Sequence, residues 1–215
     1  MRVRKVVTRS GKRFRGKFPS RKLNRMVHWE SLLERDAIYH FEYHPLVISY
    51  QEQPSIEIYY DALGKQHRYF PDFRLNLMDG SEIYIEVKPA RFLATKKVQE
   101  KLQAVATRFE EQARQFRVMT EVEIRRQPLF ANLIQIHKSS KRAAQIEPDT
   151  QMIKTLSGGP RWTLSDLCKK LLGIGQVLRL VRSKHLRVNL EASLSDDTEV
   201  WLADAHGGCN GSFYI

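Results

Sequence analysis

Tyr69-Phe-Pro-Asp-Phe73, followed fourteen residues after its Asp by Glu86-Val-Lys88, decides the reading of this chain. An Asp, a Glu and a Lys just past the Glu fall within one predicted β-hairpin. Two carboxylates can hold a hard divalent cation through oxygen. The cation activates a water and neutralises charge on a phosphate. A Lys beside them is a point charge for the phosphate or the attacking water. Together these are the residues a metal-dependent phosphodiesterase needs.

The geometry follows from period. In Glu82-Ile-Tyr-Ile-Glu-Val-Lys88, Ile83, Ile85 and Val87 fall on one face of a strand and Tyr84, Glu86 and Lys88 on the other. The run Gln66–Leu77 is also strand-like, and Met78-Asp-Gly-Ser81 is a turn signal between the two. The hairpin would return Asp72 toward Glu86. Pro71 removes a ladder hydrogen bond, which predicts an edge, a break or a bulge beside Asp72.

Working outward, Trp29–Phe41 has helical spacing through Leu32, Leu33, Ala37 and Phe41, and His44-Pro45 ends it. Val47–Gln53 and Ile56–Tyr60 read as short extended segments around Pro54, with a turn at Asp61–Gly64. Thr95–Phe116 is the longest predicted helix, striped by Val98, Leu102, Val105, Phe109 and Phe116. A buried strand at Phe116–Thr120 and a helix at Leu129–His137 follow. Strands, then helix and strand, give a mixed α/β domain.

The chain has 215 residues, 42% of them hydrophobic, enough for a real core, and a formal charge of +12. That charge is uneven: residues 1–29 carry eleven Lys or Arg and no Asp or Glu. Such an arm, residues 1–27, is expected to stay flexible and to favour a polyanion. Arg2, Arg4, Lys5, Lys12, Arg13, Arg15 and Lys17 are its candidate DNA contacts, joined by Lys65 and Arg68 upstream of Asp72. No run approaches the ~20 apolar residues of a membrane span. No apolar segment follows the basic residues as in a secretory signal. The two cysteines, Cys168 and Cys209, match no zinc spacing and read as reduced thiols. His28, His40, His44 and His67 match no closed site and read as structural or surface residues, as Trp29 and Trp162 read as packing residues.

Past the basic stretch Lys138–Gln145, Thr163–Leu171 carries helix N-terminal signals, and Gly173 and Gly175 make a turn. Gln176–Ser183 is a second helix, and Leu186–Leu190 and Glu199–Leu202 are short strands. That order outlines a winged helix–turn–helix over residues 146–203. Arg179, Arg182, Lys184 and Arg187 place charge there for DNA, for solvent or for a protein. The tail 204–215 is Gly-rich and ends Phe213-Tyr-Ile215, a candidate partner-docking peptide.

Taken as an ordered set, Leu32-Leu-Glu34, Glu52-Gln-Pro54, Pro71-Asp72 and Glu86-Val-Lys88 resemble the TnsA-like endonuclease subunit of heteromeric cut-and-paste DNA transposases. These belong to the PD…ExK restriction-endonuclease-like nucleases. The resemblance spans about residues 28–125. It implies an endonuclease domain over 28–140, with a restriction-endonuclease-like mixed sheet, ahead of the winged-helix domain. The helix-borne acid of the family falls on Glu34, its Pro-Asp carboxylate on Asp72, and its (E/Q)xK pair on Glu86 and Lys88. Glu30 and Asp36 stand close to Glu34 as alternatives. Asp72, Glu86 and Glu34, with the Val87 carbonyl, would hold one or two Mg²⁺, Mn²⁺ substituting. Lys88 would orient or help deprotonate the water. The resemblance further implies double-stranded transposon ends as substrate, cut on the 5′ strands. It implies a DDE-type transposase partner for the 3′ strands and an ATP-dependent regulator docked on the C-terminal region. The expected location is the bacterial cytoplasm, at the nucleoid. Two other classes stay open: a standalone nuclease of restriction, repair or junction resolution, and a non-enzymatic DNA-binding regulator. Clustered acids facing a phosphate backbone argue against the second.

Overall fold

A computed structural model of the chain describes residues 14–139, Leu156 and residues 161–203. The candidate contacts Arg2, Arg4, Lys5, Lys12 and Arg13, the tail 204–215, and Cys209 lie outside those residues. The chain divides into two compact units, Met1–Arg125 and Arg126–Ile215.

The first unit opens with strands β1 (Gly16–Ser20) and β2 (Arg25–Trp29), paired antiparallel from Gly16↔Trp29 to Ser20↔Arg25. Within the arm expected over residues 1–27, residues 16–27 thus lie in a paired hairpin, and Trp29 ends a strand instead of opening a helix, while residues 1–13 lie outside the described residues. The hairpin forms because partners arrive from elsewhere in the chain. Phe18 and Val27 are buried. Buried Glu42 accepts from Ser20 Oγ (2.6 Å) and from the amides of Arg21 and Lys22 (2.9 and 3.0 Å). Arg25 grips Glu52 with two nitrogens, at 2.9 and 2.6 Å.

Helix α1 (Leu32–Tyr43) starts at Ser31, whose hydroxyl accepts the Glu34 amide at 3.1 Å. It buries Leu33, Ala37, Ile38 and Phe41. At its far end Lys22 Nζ donates to the carbonyls of Phe41 and His44 at 2.6 and 3.0 Å, satisfying groups the helix end leaves open, and to that of Val47 at 2.7 Å.

Strands β3 (Val47–Glu52), β6 (Phe73–Leu77), β7 (Glu82–Val87) and β8 (Gln115–Met119) form a four-stranded mixed sheet in that order. The first two pairings are antiparallel and β7–β8 is parallel. Between β3 and β6 the chain makes a separate hairpin, β4 (Glu57–Tyr60) with β5 (Gln66–Tyr69). The expected single run Gln66–Leu77 is therefore two strands in two sheets, broken at Phe70-Pro71-Asp72. The β6–β7 turn forms as the Asp-Gly signal requires. Gly80 has φ +85°, and Asp79 Oδ1 accepts from the Ser81 amide at 2.9 Å.

The β7–β8 crossover carries a short helix, α2 (Ala90–Leu93), and a long one, α3 (Lys96–Glu111). A parallel pair needs such a crossover. Helix α3 ends before Ala113, at φ +53°, so Phe116 belongs to β8 instead of the helix. Its ring stacks on Phe109, centroids 5.1 Å apart. Tyr84 packs on that side, 4.9 Å from Phe109. Phe73 faces Phe41 of α1 at 5.1 Å, on the other side of the sheet. With both faces covered, β7 is buried from Ile83 to Val87, not half-exposed as simple alternation suggests. Helix α4 (Glu121–Ile124) closes the unit.

The second unit begins with α5 (Leu129–Ser139). That helix, expected inside the nuclease domain, falls beyond the division at Arg125. Asn132 Nδ2 ties it to the carbonyls of Leu190 and Ala192, both at 2.9 Å. Strand β9 (Trp162–Thr163), α6 (Leu164–Lys170), α7 (Ile174–Arg182), β10 (Leu186–Val188) and β11 (Glu199–Leu202) follow. The strands form an antiparallel sheet in the order β10-β11-β9. Leu164, Leu167, Leu171, Val177, Leu180, Leu186 and Val200 make the core. Leu172 (φ +58°) and Gly173 (φ +120°) turn the chain between the helices.

Candidate active site

The break at Pro71 positions the site. It ends β5 at Tyr69 and starts β6 at Phe73, leaving Asp72 one step beyond the last ladder pair, Phe73↔Ile85, and so across from Glu86. The Val87 amide donates to Asp72 Oδ2 at 2.7 Å, and the Asp72 carbonyl accepts from the Gln53 amide at 2.8 Å. Val87 thus enters the site through its N–H. Glu86 is only 4% exposed. Lys88 Nζ sits 2.9 Å from its Oε1, and the Tyr69 hydroxyl donates to its Oε2 at 2.6 Å. Lys101 of α3 lies over the Tyr69 ring, 5.0 Å from the centroid.

Glu34 stands at the start of α1. Its Oε2 accepts the Glu30 amide at 2.8 Å and its Oε1 accepts the Ser31 hydroxyl at 2.9 Å, so it also caps its own helix. Glu30 Oε1 accepts from Gln53 Nε2 at 2.7 Å. Asp36 points elsewhere, to Arg35 (2.7 Å) and Arg125 (2.8 Å), and so is engaged in ion pairs.

The electrostatics bind these groups into one cluster. Burial pushes the Asp72 carboxyl well above the ordinary range, and the charges of Glu86 and Glu34 add to the push. The Val87 amide and Lys88 pull the other way. Asp72 keeps some accessible surface as a residue, while its carboxyl is closely surrounded by protein atoms. Burial also raises Glu34, with Glu30 and Glu86 adding to the rise and its two hydrogen bonds opposing it. The Tyr69 hydroxyl is raised by burial and by Glu86 and Asp72. Crowded carboxylates that resist ionising are stabilised in their charged form by a nearby positive charge.

Among the described residues, no three His, Cys, Asp or Glu side chains stand as a ready-made metal cage. Each acid is instead engaged with protein donors. The donor chemistry still fits a hard divalent cation such as Mg²⁺ or Mn²⁺: all oxygen, and negative in excess of the nearby Lys88. Each carboxylate oxygen has a second lone pair, so these groups could meet a cation while keeping their present donors.

The remaining expected residues are more scattered. Arg15 and Lys17 are exposed at the start of the β1–β2 hairpin. Lys65 and Arg68 are exposed on the β4–β5 hairpin that runs into Tyr69. The histidines do not gather. His40 Nε2 lies 2.7 Å from the Ile124 carbonyl, and His67 pairs with Asp61 at 2.7 Å. His28 lies beside Glu52. His44 accepts from the Leu46 amide, and its pKa is lowered to about 4 by burial and by Lys22 and His40. Two residues carry more of the site than their sequence signal shows. Tyr69 is masked as an ordinary strand aromatic. Gln53 is masked as the residue before a proline.

A mixed sheet with an Asp at the broken start of one strand, Glu-x-Lys at the end of its neighbour and an acid on the preceding helix fits a restriction-endonuclease-like core. Residues 44–121 match the family model described as TnsA-like endonuclease N terminal. Over this stretch the chain is similar to the N-terminal endonuclease domain of the TnsA-like family. The matched segment runs from the end of α1 to the first residue of α4, and so contains Asp72, Glu86 and Lys88, while Glu34 lies before it. A comparison with curated proteins finds no match. Among the described residues, no helix is long and apolar enough to cross a membrane.

Proposed function

We propose that the chain is a Mg²⁺-dependent DNA endonuclease subunit of a transposase, cutting the 5′ strands at transposon ends. One observation carries the chemical reading: Asp72 and Glu86 face each other at the open end of β6 and β7, with Lys88 on Glu86 and Glu34 within the same field. The family match supports the context of transposition.

Asp72, Glu86 and Glu34 would hold the cation. When bound, it supplies charge neutralisation at the scissile phosphate and an acidified water. The protein's own groups do the rest. The Val87 amide keeps one Asp72 oxygen aimed along the sheet edge, and Tyr69 fixes the rotamer of Glu86. Lys88, within reach of Glu86, donates to the attacking water or to a phosphate oxygen. The basic residues Lys65 and Arg68 offer phosphate contacts upstream. Partners follow from the same reading: double-stranded transposon ends, a DDE-type transposase for the other strand, and an ATP-dependent regulator on the C-terminal region.

The second unit reads as a winged helix–turn–helix: helix, strand, two helices around a tight turn, and two strands. Cleavage of a transposon-end duplex by the chain alone and with its transposase and ATPase, in Mg²⁺ and in EDTA, tests the proposal. The expected result is silence alone and 5′-strand cutting in the full mixture with Mg²⁺. Efficient cutting by the isolated chain would make it a standalone nuclease, and cutting in EDTA would remove the metal from the account.

A further inference from the structure

Gln53 touches both acid-bearing elements. Its backbone is at φ +44°, a left-handed conformation that a residue with a Cβ adopts at a cost, and it precedes Pro54, which favours extended backbone at this position. In this posture its amide donates to the Asp72 carbonyl at 2.8 Å and its side-chain Nε2 donates to Glu30 Oε1 at 2.7 Å. The Glu30 amide in turn donates to Glu34 Oε2 at 2.8 Å. A hydrogen-bonded path thus runs from Asp72 through Gln53 and Glu30 to Glu34, joining the start of β6 to the start of α1. The simplest alternative is that Gln53 merely ends β3. A strand end accounts for the backbone bond, which any residue can make. It does not account for a buried amide side chain at a conformation that glycine or asparagine adopts more readily.

We infer that Gln53 is a positioning residue that sets Asp72 and Glu34 in register for the cation, acting through Glu30. The inference rests on the reading that these carboxylates hold the metal. A neutral amide suits the task. It donates to Glu30 without adding charge to a site already crowded by Asp72, Glu86 and Glu34. A Glu there would repel Glu30, and a Lys would compete with the cation.

The test uses the purified full chain with Mn²⁺ as probe, affinity measured by calorimetry and thermal unfolding followed in parallel. Gln53→Gly keeps the backbone bond and accepts φ +44°, so it should melt where the wild type does. It should nevertheless bind Mn²⁺ about tenfold more weakly, the scale expected when an outer partner of a ligand is removed. Glu30→Gln keeps an oxygen for Gln53 and should bind Mn²⁺ more tightly than Glu30→Leu. Glu30→Leu should match Gln53→Gly, and the double variant should be no weaker than either, because both changes cut one path. Wild-type Mn²⁺ affinity in Gln53→Gly overturns the inference. So does a loss of affinity that comes with an equally marked drop in melting temperature, which would make Gln53 structural only. Equal weakness of Glu30→Gln and Glu30→Leu would make the Glu30 charge the active feature, against positioning. Asp72→Asn is the control for the underlying site. If it binds Mn²⁺ as the wild type does, the carboxylate reading fails and Gln53 falls with it. If Asp72→Asn loses Mn²⁺ while Gln53→Gly does not, only the positioning role fails.

Discussion

Replacing Asp72 by Asn separates a functional acid from a structural one. The amide retains an oxygen for the Val87 N–H, now 2.7 Å from Asp72 Oδ2, and removes a negative charge from a cluster that contains Glu86 and Glu34. Two carboxylates a few ångströms apart repel by about 3 kcal/mol at an effective dielectric of ~20. Against that, the Val87 bond loses its charge assistance and Lys88 loses one attraction, together about 1–2 kcal/mol. The metal-free variant should therefore be more stable at neutral pH by ~1–2 kcal/mol, a rise of roughly 2–8 °C for a chain of this size. The sign has a pH signature. Because the folded protein raises the Asp72 carboxyl, the wild type keeps the benefit of its protonated form below the ordinary carboxylate range. It loses that benefit as pH rises through the folded value. The advantage of Asp72→Asn should thus be absent near pH 4, the ordinary Asp value, and grow toward neutrality. Melts in EDTA across that range read it directly, and Mg²⁺ added at neutral pH should stabilise the wild type while leaving the variant unmoved. A melting temperature lowered by several degrees at neutral pH, or a difference that ignores pH, would refute the argument and make Asp72 a structural ion-pair member.

Three further expectations concern Tyr69, Glu34 and Arg114. Tyr69→Phe deletes the hydroxyl 2.6 Å from Glu86 and should cost about 1–2 kcal/mol in a urea melt. It should also cost roughly tenfold in cleavage rate. An unchanged rate would remove Tyr69 from the site. Glu34→Ala should lose about 1 kcal/mol of stability, because Glu34 caps α1, whereas Glu34→Gln should keep most of that stability and still lose activity. Equal activity in Glu34→Gln and the wild type would make the residue a cap alone. Arg114 grips Glu57 with two nitrogens, at 2.8 and 2.9 Å, and lies 4.1 Å from the Tyr84 ring centroid, so Arg114→Met should destabilise by about 1–3 kcal/mol at neutral pH. Arg114 holds the Glu57 carboxyl below its ordinary value, so that stability is present above the ordinary carboxylate range and disappears as pH falls through the folded value. The gap between wild type and Arg114→Met should accordingly close in acid, and a gap that widens in acid would be wrong for this pair.

The site's centre was legible because its signals are local. Asp79-Gly80 names the turn, period two puts Glu86 and Lys88 on one face, and Pro71 breaks the strand beside Asp72. What stayed hidden depends on partners far along the chain. Residues 16–29 look unable to fold because no acid lies among them, yet Glu42 and Glu52 supply the missing charge from 21 and 27 residues away in sequence. Tyr69 and Gln53 carry polar contacts that no periodicity reveals, since each acts on a residue that only the tertiary fold brings near. The helix Leu129–Ser139 reads as amphipathic from sequence, but pattern alone says nothing of which core it joins, and Asn132 places it with residues 190 and 192. Phe116 shows the limit of stripe counting. It continues the helical spacing of Phe109, yet the turn at Ala113 puts it on β8.

Mapping the strands cut in a transposon-end duplex tests the central claim most directly. The full mixture of chain, transposase, ATPase and Mg²⁺ would be assembled with wild-type chain or with Asp72→Ala, and the ends of both strands resolved on a sequencing gel. The variant should bind the DNA as before and lose the 5′-strand cut by orders of magnitude, while the 3′-strand cut persists. Identical cutting by both proteins would contradict that claim and leave Asp72, Glu86 and Lys88 without a catalytic role.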